Sequence, residues 1–362
     1  MKIKLLTFSK ASSYGAVLQC FALSRVLENM GHDIELIDLP LQGTNYEKQK
    51  RFIDYLILLI HFPTFYLRLK EKVKFHNLRK KLSEFRTKQF PQYEEYEVVK
   101  NKITSNFYNE DNVCFIVGSD QVWNPDLTKG LSDLFFLSFV PARYKKIAYA
   151  ASFGIDIWNY KEQEFEIGNY LKEFNAISIR ETSGVDICAN VFNLKAQLVL
   201  DPTLLLDNYN YLIGNDVKIV KNAVIGHKFV VSKGWYELLK YVAKTRGIKR
   251  IRQNIHNDIL SVEEWIKTIA ESDFVVTDSF HVMVFSIIFR KEFIILPSYN
   301  SRSGRMLSLL DILDLRDRYY EKYEDVYSDN RWIAPIDYNR VHDNLKLLRQ
   351  ESMKFLKNAL LS

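Results

Sequence analysis

The feature that most constrains this chain is a recurring pair: a short, continuous apolar run, then small or polar residues that open a helix. Lys2 to Ser9, Ile34 to Leu39, Val113 to Val117, Lys146 to Ala151, Ala176 to Ile179 and Gln197 to Leu200 are such runs. Ala223 to Val231, Phe274 to Thr277 and Phe293 to Leu296 repeat the style further on. An unbroken apolar run marks a strand buried on both faces, and strands separated by helices build a parallel sheet. Helical spacing runs from Gly15 to Met30, with Gly31 placed as a C-cap, and again over 235–245, 262–270, 281–290 and from Arg305. The expected class is α/β.

At about 150 residues per domain, 362 residues suit two domains. The first is expected over 1–205 and the second over 206–335. A helix over 336–362 is expected to pack back on the first domain. Residues 46–90 read as a helical insertion rich in Phe, Tyr and Leu, broken at Pro63. That insertion carries twelve Lys/Arg against four acids, so the +6 net charge of the chain belongs to it and the rest is slightly acidic. Basic helices interleaved with aromatics suit either an anionic membrane surface or a solvated outer face. No nucleic-acid-binding module is recognisable, so no nucleic-acid partner is expected.

Cys20, Cys114 and Cys188 are far apart, which excludes a disulfide framework or a CxxC motif and suits a reducing compartment. The apolar start is too short for a signal peptide, and no run reaches the ~18 residues of a membrane span. A cytoplasmic location, at most peripheral at the inner membrane face, is the expectation. There is no GxGxxG, P-loop, GxSxG or HExxH, and no cluster with metal spacing. No metal and no cofactor are expected.

Ligands of parallel sheets sit outside the carboxyl ends of the strands, so the polar residues there are the candidates. Asp278-Ser279-Phe280-His281 follows one strand and opens an apolar helix. Ser279 suits an N-cap beside an anion, and His281 suits either proton transfer or a structural, buried histidine. Arg180 ends another strand, where it must meet an anion or pair with an acid such as Glu181. Arg302 and Arg305, in Ser301-Arg302-Ser303-Gly304-Arg305, suit an oxyanion. Asp120, Gln121 and Asn124 suit sugar hydroxyls, or equally the capping of a turn.

Read in order, these segments resemble the polysaccharide pyruvyl transferase family. The resemblance rests on Ser13-Tyr14-Gly15-Ala16-Val17-Leu18-Gln19, Gly118-Ser119-Asp120-Gln121-Val122-Trp123-Asn124 and Tyr149-Ala150-Ala151-Ser152-Phe153-Gly154. It continues through Ile179-Arg180-Glu181, Leu200-Asp201-Pro202-Thr203 and Thr277-Asp278-Ser279-Phe280-His281. Ser13 stands where the family usually has Asn, Val282 where Gly commonly follows the His, and Asp207 to Lys233 matches poorly. Val282 is expected to narrow the anion pocket.

The resemblance implies a GT-B-like fold of two Rossmann-like domains facing a cleft, with acceptor on the first side and donor on the second. It implies transfer of the enolpyruvyl group of phosphoenolpyruvate, a co-substrate, to a sugar of a surface-polysaccharide precursor such as a capsule. The product is a cyclic ketal, 4,6-linked on a galactose-type residue by family habit, with release of phosphate and a lipid-linked oligosaccharide as acceptor. Such a site needs a proton donor, guanidiniums for two anions and a base near the hydroxyls. His281 and Asp120 are the catalytic expectations, Arg180, Ser279, Arg302 and Arg305 the donor-binding ones, and Tyr14, Gln121 and Asn124 the acceptor-binding ones. The rivals are a GT-B nucleotide-sugar glycosyltransferase and a non-catalytic glycan-binding protein.

Overall fold

The computed structural model describes residues 1–39, 62–128, 130–213, 222–298 and 303–361. Seven strands form the first sheet: β1 (Lys2–Leu6), β2 (Asp33–Asp38), β3 (Tyr93–Glu95), β4 (Val113–Val117), β5 (Lys145–Ala151), β6 (Ala176–Ile179) and β7 (Gln197–Leu198). Four form the second: β8 (Ala223–His227), β9 (Arg250–Arg252), β10 (Phe274–Thr277) and β11 (Glu292–Ile295). Every pairing in both sheets is parallel.

The described helices of nine residues or more are α1 (Tyr14–Asn29), α2 (Phe62–Gln89), α3 (Tyr96–Thr104), α4 (Glu164–Lys172) and α5 (Thr182–Asn190). They continue with α6 (Trp235–Thr245), α7 (Val262–Ala270), α8 (Phe280–Ile288), α9 (Gly304–Ile312) and α10 (Tyr338–Leu361). Gly31, at φ +85°, closes α1 in the left-handed region open to glycine. Pro63 sits in the first turn of α2, where its missing N–H is harmless, so it opens that helix and does not break it. The expected insertion is therefore seen from Phe62 onward, and residues 46–61 lie outside the described residues.

The strand order decides where ligands go. The first sheet runs β3-β2-β1-β4-β5-β6-β7, so the chain reverses its direction of travel between β1 and β4. The second runs β11-β10-β8-β9 and reverses between β8 and β10. At such a switch point the loops leaving the two neighbouring strands part, and a crevice opens beyond their carboxyl ends.

One apolar cluster joins both sheets. It runs from Ile3 and Leu5 of β1 through Val17, Leu18 and Phe21 of α1 to Trp265 of α7, Phe285 of α8 and Val275 of β10. Tyr14 binds the two halves at the mouth of this seam: its hydroxyl donates to Leu260 O at 2.8 Å and accepts from Leu260 N at 3.1 Å. Its ring lies 5.2 Å from that of Trp265, at 14°. Helix α10 returns to the first sheet, where Ser352 Oγ accepts from Leu200 N at 3.0 Å and Lys145 Nζ donates to Leu360 O at 2.9 Å. The basic helix α2 also spans the halves. Lys74 Nζ reaches Asn257 Oδ1 at 3.0 Å and Lys81 Nζ reaches Glu264 at 2.9 Å, both across to the second half. Part of its charge is thus spent as a strap along the cleft, where Leu78 lines the wall. No helix among the described residues is long and apolar enough to cross a membrane.

Candidate active site

Between the two switch points lies a cleft of about 670 Å³. Ser13, Tyr14 and Gly15 at the start of α1 line it, with Asp120 and Gln121 after β4. From the other side come His227 at the end of β8, Asp278 and Ser279 between β10 and α8, His281 in the first turn of α8, and Arg305 of α9.

A buried ionic cluster underlies the cleft floor. Arg180 Nη1 meets Asp201 Oδ2 at 2.7 Å and Nη2 meets Asp120 Oδ1 at 2.9 Å, with Glu181 at 3.8 Å from Nε. The Arg180 side chain has no exposure at all, and its guanidinium lies 4.9 Å from the Phe280 ring. Of the two expectations for Arg180, a donor anion or an acid partner, the structure shows the second: both ends of its fork meet carboxylates. It holds Asp120 and Asp201 together, and the partner is not chiefly the adjacent Glu181. Burial alone would raise the Asp120 and Asp201 pKa values, but Arg180 first and then His281 bring both below the ordinary carboxylate range. Asp120 takes φ +80°, a left-handed conformation that Asp tolerates better than most residues and that is concentrated at functional sites.

Asp201 carries no role in the sequence-level site. It is central here: Oδ1 accepts from Thr203 N at 3.0 Å and Oγ1 at 2.6 Å, and Oδ2 accepts from Ser119 Oγ at 3.2 Å. Its place at a strand end, before Pro202, was the available signal.

His281 stands over this cluster. Its Nε2 is 3.9 Å from Asp201 Oδ2, buried and without a hydrogen-bond partner. A Cβ on Gly15 would fall 2.0 Å from His281 Nδ1, so the start of α1 is glycine because the imidazole presses on its backbone. Burial is the main cause that lowers the His281 pKa to about 4; Asp201 and Asp120 oppose it, and Arg180 and Arg305 add to it. The ring is therefore neutral at pH 7.

The consequence for stability has a definite sign. An unfolded imidazole takes up a proton near pH 6.5, whereas folded His281 waits until about 4, so stability falls as pH drops through that window. The contribution of His281 is about 3 kcal/mol. His256, also lowered to about 4 chiefly by burial, acts in the same direction, and Glu181, raised by burial, opposes. Melting temperatures at pH 7 and pH 4.5 should show a smaller acid loss in His281→Gln than in wild type; an equal loss would refute the assignment.

Among the described residues that line the cleft, Arg305 is the cation. With its amide oxygen turned to the guanidinium, Gln121 accepts from Arg305 Nη1 and, at 3.2 Å, from Nη2. The guanidinium lies 5.6 Å from the Phe280 ring. Ser279 caps α8, its Oγ accepting from Val282 N at 3.4 Å. Arg302 lies outside the described residues. Asn124 is 1% exposed and its Oδ1 accepts from Asp126 N at 3.0 Å, as the turn-capping reading of this residue expects. Tyr14 lines the cleft but spends its hydroxyl on Leu260. Val282 points into the core and does not narrow the cleft.

The model of the family described as polysaccharide pyruvyl transferase matches residues 14–300, four-fifths of the chain, spanning Tyr14, Asp120, Arg180 and His281. The chain belongs to the polysaccharide pyruvyl transferase family. No curated protein matches it. Among solved structures, the transferase is similar to the UDP-GlcNAc 2-epimerase of Neisseria meningitidis bound to UDP-GlcNAc, at 9% identity and a TM-score of 0.52, with 100% of each chain covered. A Listeria monocytogenes protein assigned as UDP-N-acetylglucosamine 2-epimerase gives 10% identity and a TM-score of 0.52, over 95% of this chain and 90% of that one. These likenesses show the fold alone, and with the parallel sheets they make the transferase a GT-B-type pair of Rossmann-like domains. Arg305 lies just beyond the matched residues, so its place in the site comes from the tertiary structure.

Proposed function

We propose that this chain transfers the enolpyruvyl group of phosphoenolpyruvate to two hydroxyls of one sugar in a polysaccharide precursor, closing a cyclic ketal and releasing phosphate. The observation that carries the reading is the convergence of His281, Asp120, Gln121 and Arg305 on one cleft between the two switch points. Arg305 and the first-turn N–H groups of α8 suit the phosphate and carboxylate of the donor. His281 is neutral at pH 7 on its own, and a polyanionic donor placed against it raises its proton affinity. Donor binding then brings in the proton that His281 passes to the methylene carbon, which makes C2 electrophilic.

The test is phosphate release from phosphoenolpyruvate, which should require the acceptor. Thermal stabilisation by phosphoenolpyruvate and not by UDP- or GDP-sugars supports the same reading. The reverse pattern would establish the nucleotide-sugar alternative. Acceptor-independent silence with glycan binding alone would establish a non-catalytic protein.

The acceptor in this reading is carried on a lipid, and α2 suits an anionic surface through the exposed Lys80 and Lys88 beside the exposed Val73 and Phe75. Pelleting with anionic vesicles should weaken about tenfold or more when Lys80 and Lys88 are changed to Gln, at roughly 1 kcal/mol each. Lys74 and Lys81 are unsuited to that test because they hold the strap across the cleft.

A further inference from the structure

The cleft holds a second imidazole–carboxylate pair, on the wall opposite Asp120. His227 is the last residue of β8 and sits beside Thr277 of β10 in the register of the second sheet, at the switch point itself. Its Nδ1 lies 3.3 Å from Asp278 Oδ1, and both side chains are nearly fully buried. The other Asp278 oxygen accepts from Phe229 N at 2.9 Å and from Ser298 Oγ. Burial would raise the Asp278 pKa, but His227 and Ser298 bring it below the ordinary range, so the carboxylate is ionised and can only accept. The proton of this contact therefore belongs to Nδ1, and in the neutral imidazole Nε2 is the nitrogen that carries the lone pair.

Resting on the reaction proposed above, we infer that His227, held in this tautomer by Asp278, is the base that takes the proton from an acceptor hydroxyl. Asp120 is poorly placed for that task, because Arg180 commits its charge and lowers its basicity. The step balances. The hydroxyl oxygen forms a bond to C2 of the donor and loses its proton to His227 Nε2, while the C2–C3 double bond opens and C3 takes the proton from His281. The C2–O bond to phosphate then breaks with its electron pair leaving on phosphate. The second hydroxyl adds to the cationic C2, and the two hydroxyl protons together replace the one given to C3 and accompany the departing phosphate.

Among the described residues, the charged and titratable groups around His227 are few. Asp278 holds Nδ1, and the His256 and Phe229 rings lie 5.3 Å and 5.0 Å from the His227 ring. Lys228 turns its Nζ to Leu296 O at 2.9 Å, Arg252 of β9 is held by Asp258 at 2.8 Å, and Lys74 lies beyond His256. His256 remains neutral down to about pH 4 and does not compete for the proton.

The experiment compares phosphate release and donor-induced thermal shift in wild type, His227→Gln and Asp278→Asn across pH. His227→Gln should lower kcat on the order of 10²–10³-fold and remove the acid limb of the kcat/KM profile, with the phosphoenolpyruvate thermal shift retained. Asp278→Asn, a positioning change, should lower kcat and displace the same limb without altering donor KM. A His227→Gln or Asp278→Asn protein with wild-type kcat and an unchanged acid limb overturns the base role. If His227→Gln does not fold, Asp278→Asn decides alone. Absence of phosphate release by wild type overturns the reaction and the inference with it, whereas turnover by wild type that survives either change overturns only the base.

Discussion

His281→Gln should fold and lower kcat on the order of 10²–10⁴-fold. The ring is fixed by contacts a glutamine can largely occupy: Gly15 on one side, the Phe280 ring at 5.2 Å, and the start of α8 below. What glutamine cannot do is take up a proton with the donor and return it. Calorimetry adds an independent readout. Donor binding to wild type between pH 5 and 7 should carry a proton uptake, visible as a dependence of the heat on buffer ionisation. The sign follows from the His281 pKa of about 4, which an adjacent polyanion can only raise. The variant should bind donor with less proton uptake. Near-normal turnover by His281→Gln across pH would falsify the acid role, and buffer-independent heats would remove the coupling between donor and proton.

Arg180→Leu should lose the fold or come close to it. Removing this guanidinium strands Asp120 and Asp201, both held ionised beside it, and breaking a buried charge pair costs about 3–5 kcal/mol. That is a large share of the ~5–15 kcal/mol that usually separates a folded domain from its unfolded chain. Arg180→Lys keeps the charge but reaches one carboxylate at a time, so it should fall between the two. Adding Asp201→Asn to Arg180→Leu should recover part of the loss, since one stranded charge is then neutral. Denaturant unfolding measures all four proteins. If Arg180→Leu unfolds at the wild-type midpoint and only donor KM rises, the guanidinium belongs to donor binding after all.

Much of the architecture was legible because strands buried on both faces announce themselves locally. Val113–Val117, Ala176–Ile179 and Phe274–Thr277 have the bounds their apolar runs suggest, as do helices Trp235–Thr245 and Val262–Ala270. The short edge strands were hidden: Arg-Ile-Arg of β9 and Tyr-Glu-Glu of β3 are polar and three residues long, the composition that keeps a sheet edge from pairing further. A third miss had consequences for the site. Ala223 to Val231 reads as one apolar strand, yet it ends at His227, because the Asn254 side chain takes both the N–H and the C=O of Lys228. His227 was thereby concealed inside a run where it is in fact the terminal residue facing the cleft.

From the sequence by itself came the parallel α/β class, the division into two strand–helix series, and the rule that chemistry lies at strand ends. These follow from burial period and helix signals, which act over a few neighbouring residues. Which strand ends meet was decided only by the tertiary structure. The reversals at β1/β4 and β8/β10 bring Asp120, His227 and His281 to one cleft, and the order β4-β5-β6-β7 gives Arg180 to Asp120 and Asp201. A guanidinium at a strand end meets a ligand or a carboxylate according to what stands across from it, and that neighbour is set by strand order, which here pairs Arg180 with Asp120, 60 residues away.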